Sequence, residues 1–277
     1  MTGAGRGIGR AYAQLLAERG ASVVVNDRGG SIEGDGTDAG PASEVAAAVG
    51  GVADTRDVAT VEGAEALVAT AVERFGRLDI LINNAGIVRW AGFPEADADN
   101  LDAHLAVHVA GAFNTTRAAW PHMVEQGYGR IVQTTSTGML GLPTNLSYAT
   151  AKGGVLGMTR SLAVAGRKLG IKVNAIAPAA ATRMGGDTDD AQMAPELVAP
   201  LVAYLAHESC PVSGEAYSAG AGRFQRFFIA VTEGWVDPKA TIEDVAEHWA
   251  AINDEAGYEV PADLVRWSKA FRSHLDG

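Results

Sequence analysis

Three observations predict an α/β fold in which a parallel sheet is wound between helices on both faces. Short apolar strand patterns alternate with helical ones along most of the 277 residues. A glycine-rich segment, Gly3-Ala4-Gly5-Arg6-Gly7-Ile8-Gly9, opens directly into a helical pattern. The strand after that helix ends in Asp27, roughly 20 residues beyond the glycines, the offset of a dinucleotide-binding unit.

In chain order, Gly3, Gly7 and Gly9 permit a tight turn and the close approach of a pyrophosphate. A helix starting near Gly7 offers free N–H groups and a positive dipole end. It runs through Tyr12, Leu15 and Leu16 and stops at Gly20. Strands are expected at 21–26, 78–83, 129–133 and 171–176, and helices at 61–74 and 101–126. Residues 29–41, rich in Gly, Asp and Ser, read as a mobile loop inserted after the second strand. One element is missing. Only Met1 precedes Thr2, so the central strand of a Rossmann-like doubly wound sheet has no residues to form it. The expectation is a natural start several residues upstream and, for this chain, a gap, a disordered phosphate loop or a substitute strand at the sheet centre, with reduced stability. From about Arg223 the composition shifts: three of the five tryptophans, Trp235, Trp249 and Trp267, lie beyond it. Thr241-Ile242-Glu243-Asp244 reads as a capping box, followed by Ile242, Val245, Trp249 and Ile252 at helical spacing. The expected organisation is a Rossmann-like domain over 1–222 and a helical extension over 223–277, packed on the core or on a second subunit.

Composition narrows the function. Apolar residues make up 47% and charged residues 20%, which is globular. A net charge of −11 argues against nucleic acid and anionic membrane surfaces as partners. The single cysteine, Cys210, excludes an internal disulfide and suits a reducing, cytoplasmic setting. No apolar run reaches membrane-spanning length and no secretory signal opens the chain.

The chemistry is concentrated in Tyr148-Ala149-Thr150-Ala151-Lys152. A Tyr and a Lys four apart on a helix share one face. A free phenol titrates near ~10, and a neighbouring ammonium draws it toward the working range of general acid–base chemistry. With the glycine loop and Asn83-Asn84-Ala85-Gly86 in the same chain, the pair points to hydride transfer with a nicotinamide cofactor. Asp27 favours NAD, because a carboxylate binds a ribose 2′-hydroxyl and repels a 2′-phosphate, whereas Arg6 and Arg28 leave room for NADP. Asn84, Ala85 and Gly86 line the cofactor or simply end a strand in a turn. His104 and His108 stand four apart, but no third ligand of suitable spacing accompanies them, so no metal site is expected.

These motifs, in this order, resemble the short-chain dehydrogenase/reductase family over roughly residues 1–222. More narrowly the chain is similar to the (3R)-hydroxyacyl-CoA dehydrogenase module of peroxisomal multifunctional enzymes of type 2, also known as a 17β-hydroxysteroid dehydrogenase. That likeness rests on Gly9-Arg10-Ala11-Tyr12-Ala13, Val24-Val25-Asn26-Asp27-Arg28-Gly29-Gly30, Thr116-Arg117-Ala118-Ala119-Trp120, His207-Glu208-Ser209-Cys210 and Gly220-Ala221-Gly222. The resemblance implies an NAD-dependent oxidoreductase interconverting a secondary alcohol and a ketone. The substrate it implies is a (3R)-hydroxyacyl-CoA, steroid side-chain CoA esters included, with a hydroxysteroid dehydrogenase or a 3-oxoacyl reductase as the alternative. Tyr148 would act as acid or base, and Lys152 would lower its pKa and hold the ribose hydroxyls. The family's Ser, thirteen residues before the Tyr, falls on Thr135, with Ser136 as the adjacent alternative. The family's Asn falls on His108, which the hydroxyacyl-CoA branch shares, and its imidazole would pass protons through water toward Lys152. Gly5, Arg6 and Ile8 would lie in the phosphate loop, and Asp57, before Val58, at the adenine amine or in a solvated loop. Thr182, four residues after Pro178, would hold the carboxamide or a phosphate, although Ala179 replaces the usual Gly. Expected partners are a small-molecule substrate and further copies of the chain, as a homodimer or homotetramer. A reading from another class is a cofactor-binding or scaffold protein with impaired catalysis.

Overall fold

The computed structural model describes residues 1–186 and 190–275. The chain divides into two compact units, 1–226 and 227–277. The first begins with α1 (Gly7–Glu18), β1 (Val24–Asn26), α2 (Gly40–Val49), β2 (Val52–Asp54), α3 (Val61–Phe75) and β3 (Ile80–Asn83). Next come α4 (Ala98–His104), a π-helical turn (Leu105–Ala110) and α5 (Gly111–Gln126). It continues with β4 (Gly129–Thr134), α6 (Leu146–Gly166), β5 (Ile171–Pro178), α7 (Ala199–Leu205), β6 (Ala216–Gly220) and β7 (Arg223–Phe227). Strands β3 to β6 pair in parallel, one beside the next. Ala221 and Gly222, with φ of 50° and 73°, make the tight turn into β7.

Helices cover both faces, and the strands read accordingly as continuous apolar runs. Ile82, Val132 and Ile176 pack with Tyr12 and Leu16 of α1 and Val202 and Leu205 of α7. Their neighbours Leu81, Ile131 and Val173 point the other way, into Val68 of α3, Ala119 and Met123 of α5 and Ala163 of α6. This period-two division between two helical layers fixes the strand register, because a slip of one residue would exchange the faces.

At the sheet centre the ladder breaks. β1 and β2 form a parallel pair of their own, separate from the five-stranded sheet. Met1 and Thr2 lie between the two. The Met1 carbonyl accepts from Asn26 N (2.9 Å), Thr2 forms a parallel bridge to Asn26, and Thr2 N donates to Ile82 O (3.0 Å). The gap expected from the sequence is therefore seen as a division into two sheets, stitched by two residues. The phosphate loop itself follows a defined path, with Ala4 N donating to Asn26 O (2.9 Å).

The 29–41 segment is more constrained than its composition suggests. Arg6 donates to the carbonyls of Gly29 and Gly30, Val88 N donates to Ile32 O (2.8 Å), and Arg89 Nε donates to Glu33 O (2.8 Å). Side chains distant in sequence supply these anchors, which a local reading of glycine content does not register.

The second unit holds α8 (Ile242–Glu247), α9 (Trp249–Ile252) and α10 (Leu264–Phe271). Thr241 and Asp244 form the expected capping box, with reciprocal side-chain and backbone bonds. The helical run is interrupted at His248, whose ring stacks on Trp235 at 4.0 Å between centroids. None of the described residues 228–275 is buried. Among the described residues no helix is long and apolar enough to cross a membrane.

The seam yields a stability prediction. Thr2 Oγ1 accepts from both Asn84 N and Ala85 N at 3.0 Å. Thr2→Val keeps the shape and orphans both donors, at a cost of about 2–4 kcal/mol, so the melting temperature should fall by several degrees. An unchanged melting temperature in calorimetry would show that the hydroxyl is not what joins the sheets.

Candidate active site

The site lies at the carboxyl ends of β3, β4 and β5, where ligands of open α/β sheets bind. The first turns of α6 carry Tyr148 and Lys152, the residues after β4 supply Thr135 and Ser136, and the α4–α5 region supplies His104 and His108. The π turn at 105–110 inserts an extra residue into that helical run, a distortion common at functional sites. His108 sits within it, packed edge-on to the Tyr148 ring at 5.3 Å between centroids. A Cβ on Gly86 would stand 2.7 Å from His108 Cε1, so the Asn-Asn-Ala-Gly turn needs its glycine to admit the imidazole.

Lys152 is buried and its ammonium donates to Thr134 O at 2.7 Å. Burial pushes its pKa down to about 7, because the charged form loses its water. Its Nζ lies 5.6 Å from the centre of the Tyr148 ring. The phenol stands above its ordinary value, chiefly through burial, with a hydrogen bond to Ser136 pulling it partly back. The sequence expectation is a phenol lowered by Lys152; here burial is the larger influence and the phenol stands raised.

The two hydroxyl candidates separate cleanly. Thr135 is fully buried and donates to the main-chain oxygen of Lys152 at 2.8 Å, so it ties β4 to α6. Ser136 stands close enough to Tyr148 to draw the phenol's pKa down. Its Oγ also accepts from Gly138 N (3.0 Å), which aims the side chain along the short 3₁₀ turn Thr137–Leu140.

His108 Nε2 lies 2.8 Å from Ile87 O and 3.3 Å from Ile87 N, donating to the first or accepting from the second according to the ring's tautomer. Burial and the nearby Lys152 hold its pKa well below the usual range, so the ring is neutral. Nδ1 has no protein partner, nor does Thr134 Oγ1. Both residues line a cavity of about 10 Å³ together with Lys152, Asn83 and Gln133, about the room one water requires. His104 is different: Nδ1 donates to Asn100 O (2.7 Å) and Nε2 accepts from Arg89 N (3.2 Å), which uses both nitrogens in packing.

The candidate cofactor residues group around the glycine loop. The N-terminus of α1 at Gly7 has no side-chain cap and no acidic residue in its first turn, which leaves donors for an anion. A Cβ on Gly9 would collide with the Gly3 carbonyl, so these two glycines set the turn. Thr182 lies opposite Gly7, its Cγ2 3.7 Å from where a Cβ would be. Asn84 Nδ2 donates to Gly3 O (2.9 Å), joining the Asn-Asn-Ala-Gly turn to the loop. Asp27 sits beside the loop, accepting from Gly5 N (2.9 Å) and Gly29 N (2.7 Å), and each oxygen keeps a further lone pair. Arg28 pairs with Asp57 at 3.0 Å, and Asp57 Oδ1 accepts from Ala59 N, so both carboxylate oxygens are engaged. Ile8 and Val58 pack into the core, leaving only their backbones to the site. Pro178 ends β5. Sequence reasoning passed over two residues. Asn83 bonds Thr115, Thr116 and Gln133 in a buried network, and Trp90 has its ring 6.4 Å from that of Tyr148. An aromatic side chain four residues beyond the strand-ending glycine was the available signal for Trp90.

Ser136 and Thr135 make opposite predictions. Removing the hydroxyl that pulls the phenol down, in Ser136→Ala, should shift the alkaline limb of alcohol oxidation to higher pH and lower turnover by about 10²-fold. Thr135→Val should leave that limb in place and lower the melting temperature instead. The reverse pattern in pH–rate profiles would restore Thr135 to the catalytic position.

The short chain dehydrogenase family model matches residues 1–192. A putative short-chain type dehydrogenase/reductase of Mycobacterium tuberculosis is 43% identical over 94% of this chain and 95% of its own length. The peroxisomal multifunctional enzyme type 2 of Mus musculus is 42% identical over 95% of this chain, which spans 37% of that protein. Among solved structures, a short chain dehydrogenase from Mycobacterium avium superposes with a TM-score of 0.78 and 38% identity, covering 91% of this chain and 92% of the other. The chain belongs to the short-chain dehydrogenase/reductase family and is an NAD(P)-dependent oxidoreductase acting on CH–OH groups.

Proposed function

We propose that this chain oxidises a (3R)-hydroxyacyl-CoA to the 3-ketoacyl-CoA, and runs the reverse reduction, with NAD as its cofactor. The observation that carries this reading is the convergence of Tyr148, Ser136 and Lys152 beside an uncapped helix N-terminus that Asp27 flanks. When bound, the dinucleotide supplies the acceptor or donor of the hydride. The loop donors at the start of α1 would hold its pyrophosphate, with Thr182 opposite. Asp27 would take a ribose hydroxyl on its remaining lone pairs. Arg6 is engaged with Gly29, Gly30 and Asp38 and Arg28 with Asp57, which supports NAD over NADP.

The residues divide the work. In reduction, Tyr148 gives its phenolic proton to the carbonyl oxygen while Ser136 donates a hydrogen bond to the same atom. In oxidation, the phenolate takes the hydroxyl proton of the alcohol. Lys152, Thr134 and His108 line one small cavity with room for a water, which would give the phenol an inward route for exchanging its proton with the surroundings. A phenol raised by burial is protonated at neutral pH, so the resting site is poised as an acid, and oxidation is expected to gain with rising pH. The buried, unpaired Cys210 suits a reducing compartment, and we place the protein in the cytoplasm on that ground.

The test is NADH formation from a (3R)-hydroxyacyl-CoA, with NADP in parallel. The unaltered protein should prefer NAD, and Tyr148→Phe should lose at least about 10³-fold in kcat with little change in the dissociation constant for NAD. Retention of more than a small fraction of the rate by Tyr148→Phe, or equal use of NADP, contradicts the reading.

A further inference from the structure

The mouth of this site carries apolar surface that neither the fold nor the proton chemistry uses. Two segments form it. Residues 89–93 run beside residues 142–146, joined by a parallel bridge between Ala91 and Asn145 and by Leu146 N donating to Ala91 O (3.3 Å). At Gly92 the backbones approach so closely that a Cβ would collide with Pro143 O. Their coupling places Trp90 next to the reacting phenol, at 6.4 Å and tilted by 39°. The indole is 52% exposed, and Leu140 and Leu142 on the facing segment are 71% and 56% exposed. Gly138, two residues before Leu140, abuts the Tyr148 ring itself, with its Cβ direction 3.2 Å from Cε1. Apolar side chains left in water at the lip of a catalytic pocket mark surface that a ligand covers. Arg89, on the same segment, is turned to Glu33 O and Asp35.

We propose that Trp90 determines specificity by packing against the apolar body attached to the carbinol carbon, selecting extended substrates over short ones. This rests on the functional reading above and concerns the part of the substrate that does not react. Contact with remote apolar atoms is the kind of binding that long substrates can spend at the reacting centre and truncated ones cannot. The indole supplies a rigid, flat wall at low entropic cost, which a fatty chain or a fused-ring skeleton matches and a charged or phosphate-bearing segment does not. The coenzyme part of an acyl thioester therefore lies away from Trp90.

The experiment compares the unaltered 277-residue chain with Trp90→Ala and Trp90→Phe on 3-hydroxybutyryl-CoA and 3-hydroxydecanoyl-CoA, with saturating NAD. Trp90→Ala should lower kcat/KM for the ten-carbon substrate by about 10- to 100-fold and for the four-carbon substrate by less than about threefold. Trp90→Phe should recover most of the loss, and NAD affinity by calorimetric titration should not move. An equal fall for both substrates would reduce Trp90 to a structural support of Tyr148, and no fall would remove it from the site. Should the unaltered chain oxidise neither ester, the functional reading fails, and binding of decanoyl-CoA decides Trp90. Weakening by about fivefold or more in Trp90→Ala upholds the contact, and equal affinity overturns it.

Discussion

The site depends on keeping the Lys152 ammonium buried, with no carboxylate among the described residues to offset its charge. A buried charge without a counter-ion is costly, and the chain answers in two ways. It gives the ammonium a main-chain acceptor, Thr134 O, and it lets the amine approach neutrality near physiological pH. Both consequences matter for chemistry. The acceptor lies on the last residue of β4, so the amine's position is set by the sheet. Thr135 completes the clamp from the next residue by bonding the Lys152 carbonyl. Helix α6 is thereby fixed to the strand end at the point where Tyr148 must meet a substrate. An amine able to gain or lose a proton near neutrality can then link the phenol to the interior.

A second set of buried polar groups carries the cofactor end. Thr2, Asn83 and Asn84 occupy the seam between the two sheets and hold the glycine loop and the Asn-Asn-Ala-Gly turn against each other. Asn83 continues the network to Thr115, Thr116 and Gln133, all buried, so the turn is anchored on α5 as well as on β3. Polar groups in such positions specify one arrangement because each alternative leaves donors unpaired. The same α5 region begins in the π turn that delivers His108. Positioning of the loop and of the proton path is therefore mechanically shared.

Features confined to one element were legible in the sequence. The glycine loop, Asp27 at a strand end, the Tyr148–Lys152 spacing and the Thr241–Asp244 cap each depend on the geometry of a single turn or helix. Alternating apolar segments were enough to expect the layered sheet. What escaped depends on chain segments meeting. Ser136 and Thr135 differ by one residue, and the irregular turn at 137–140 decides which faces the phenol. The sequence places a histidine at 108 but does not show the π turn that brings it to the small cavity Lys152 lines. Residues 29–41 read as mobile because their anchors, Arg6 and Arg89, lie elsewhere. Trp90 reads as a loop aromatic until the loop is seen to run beside residues 142–146.

The burial of Lys152 is open to direct observation. Lysine labelled at its side-chain nitrogen and terminal carbon, with Lys152→Met to assign the resonance, allows the amine to be titrated by NMR in the cofactor-free protein. The account predicts a midpoint of about 7 for Lys152, pushed down by desolvation. A midpoint near the ordinary lysine value of about 10.4 would mean that the amine is hydrated or charge-paired, and the proton path built on it would have to be abandoned.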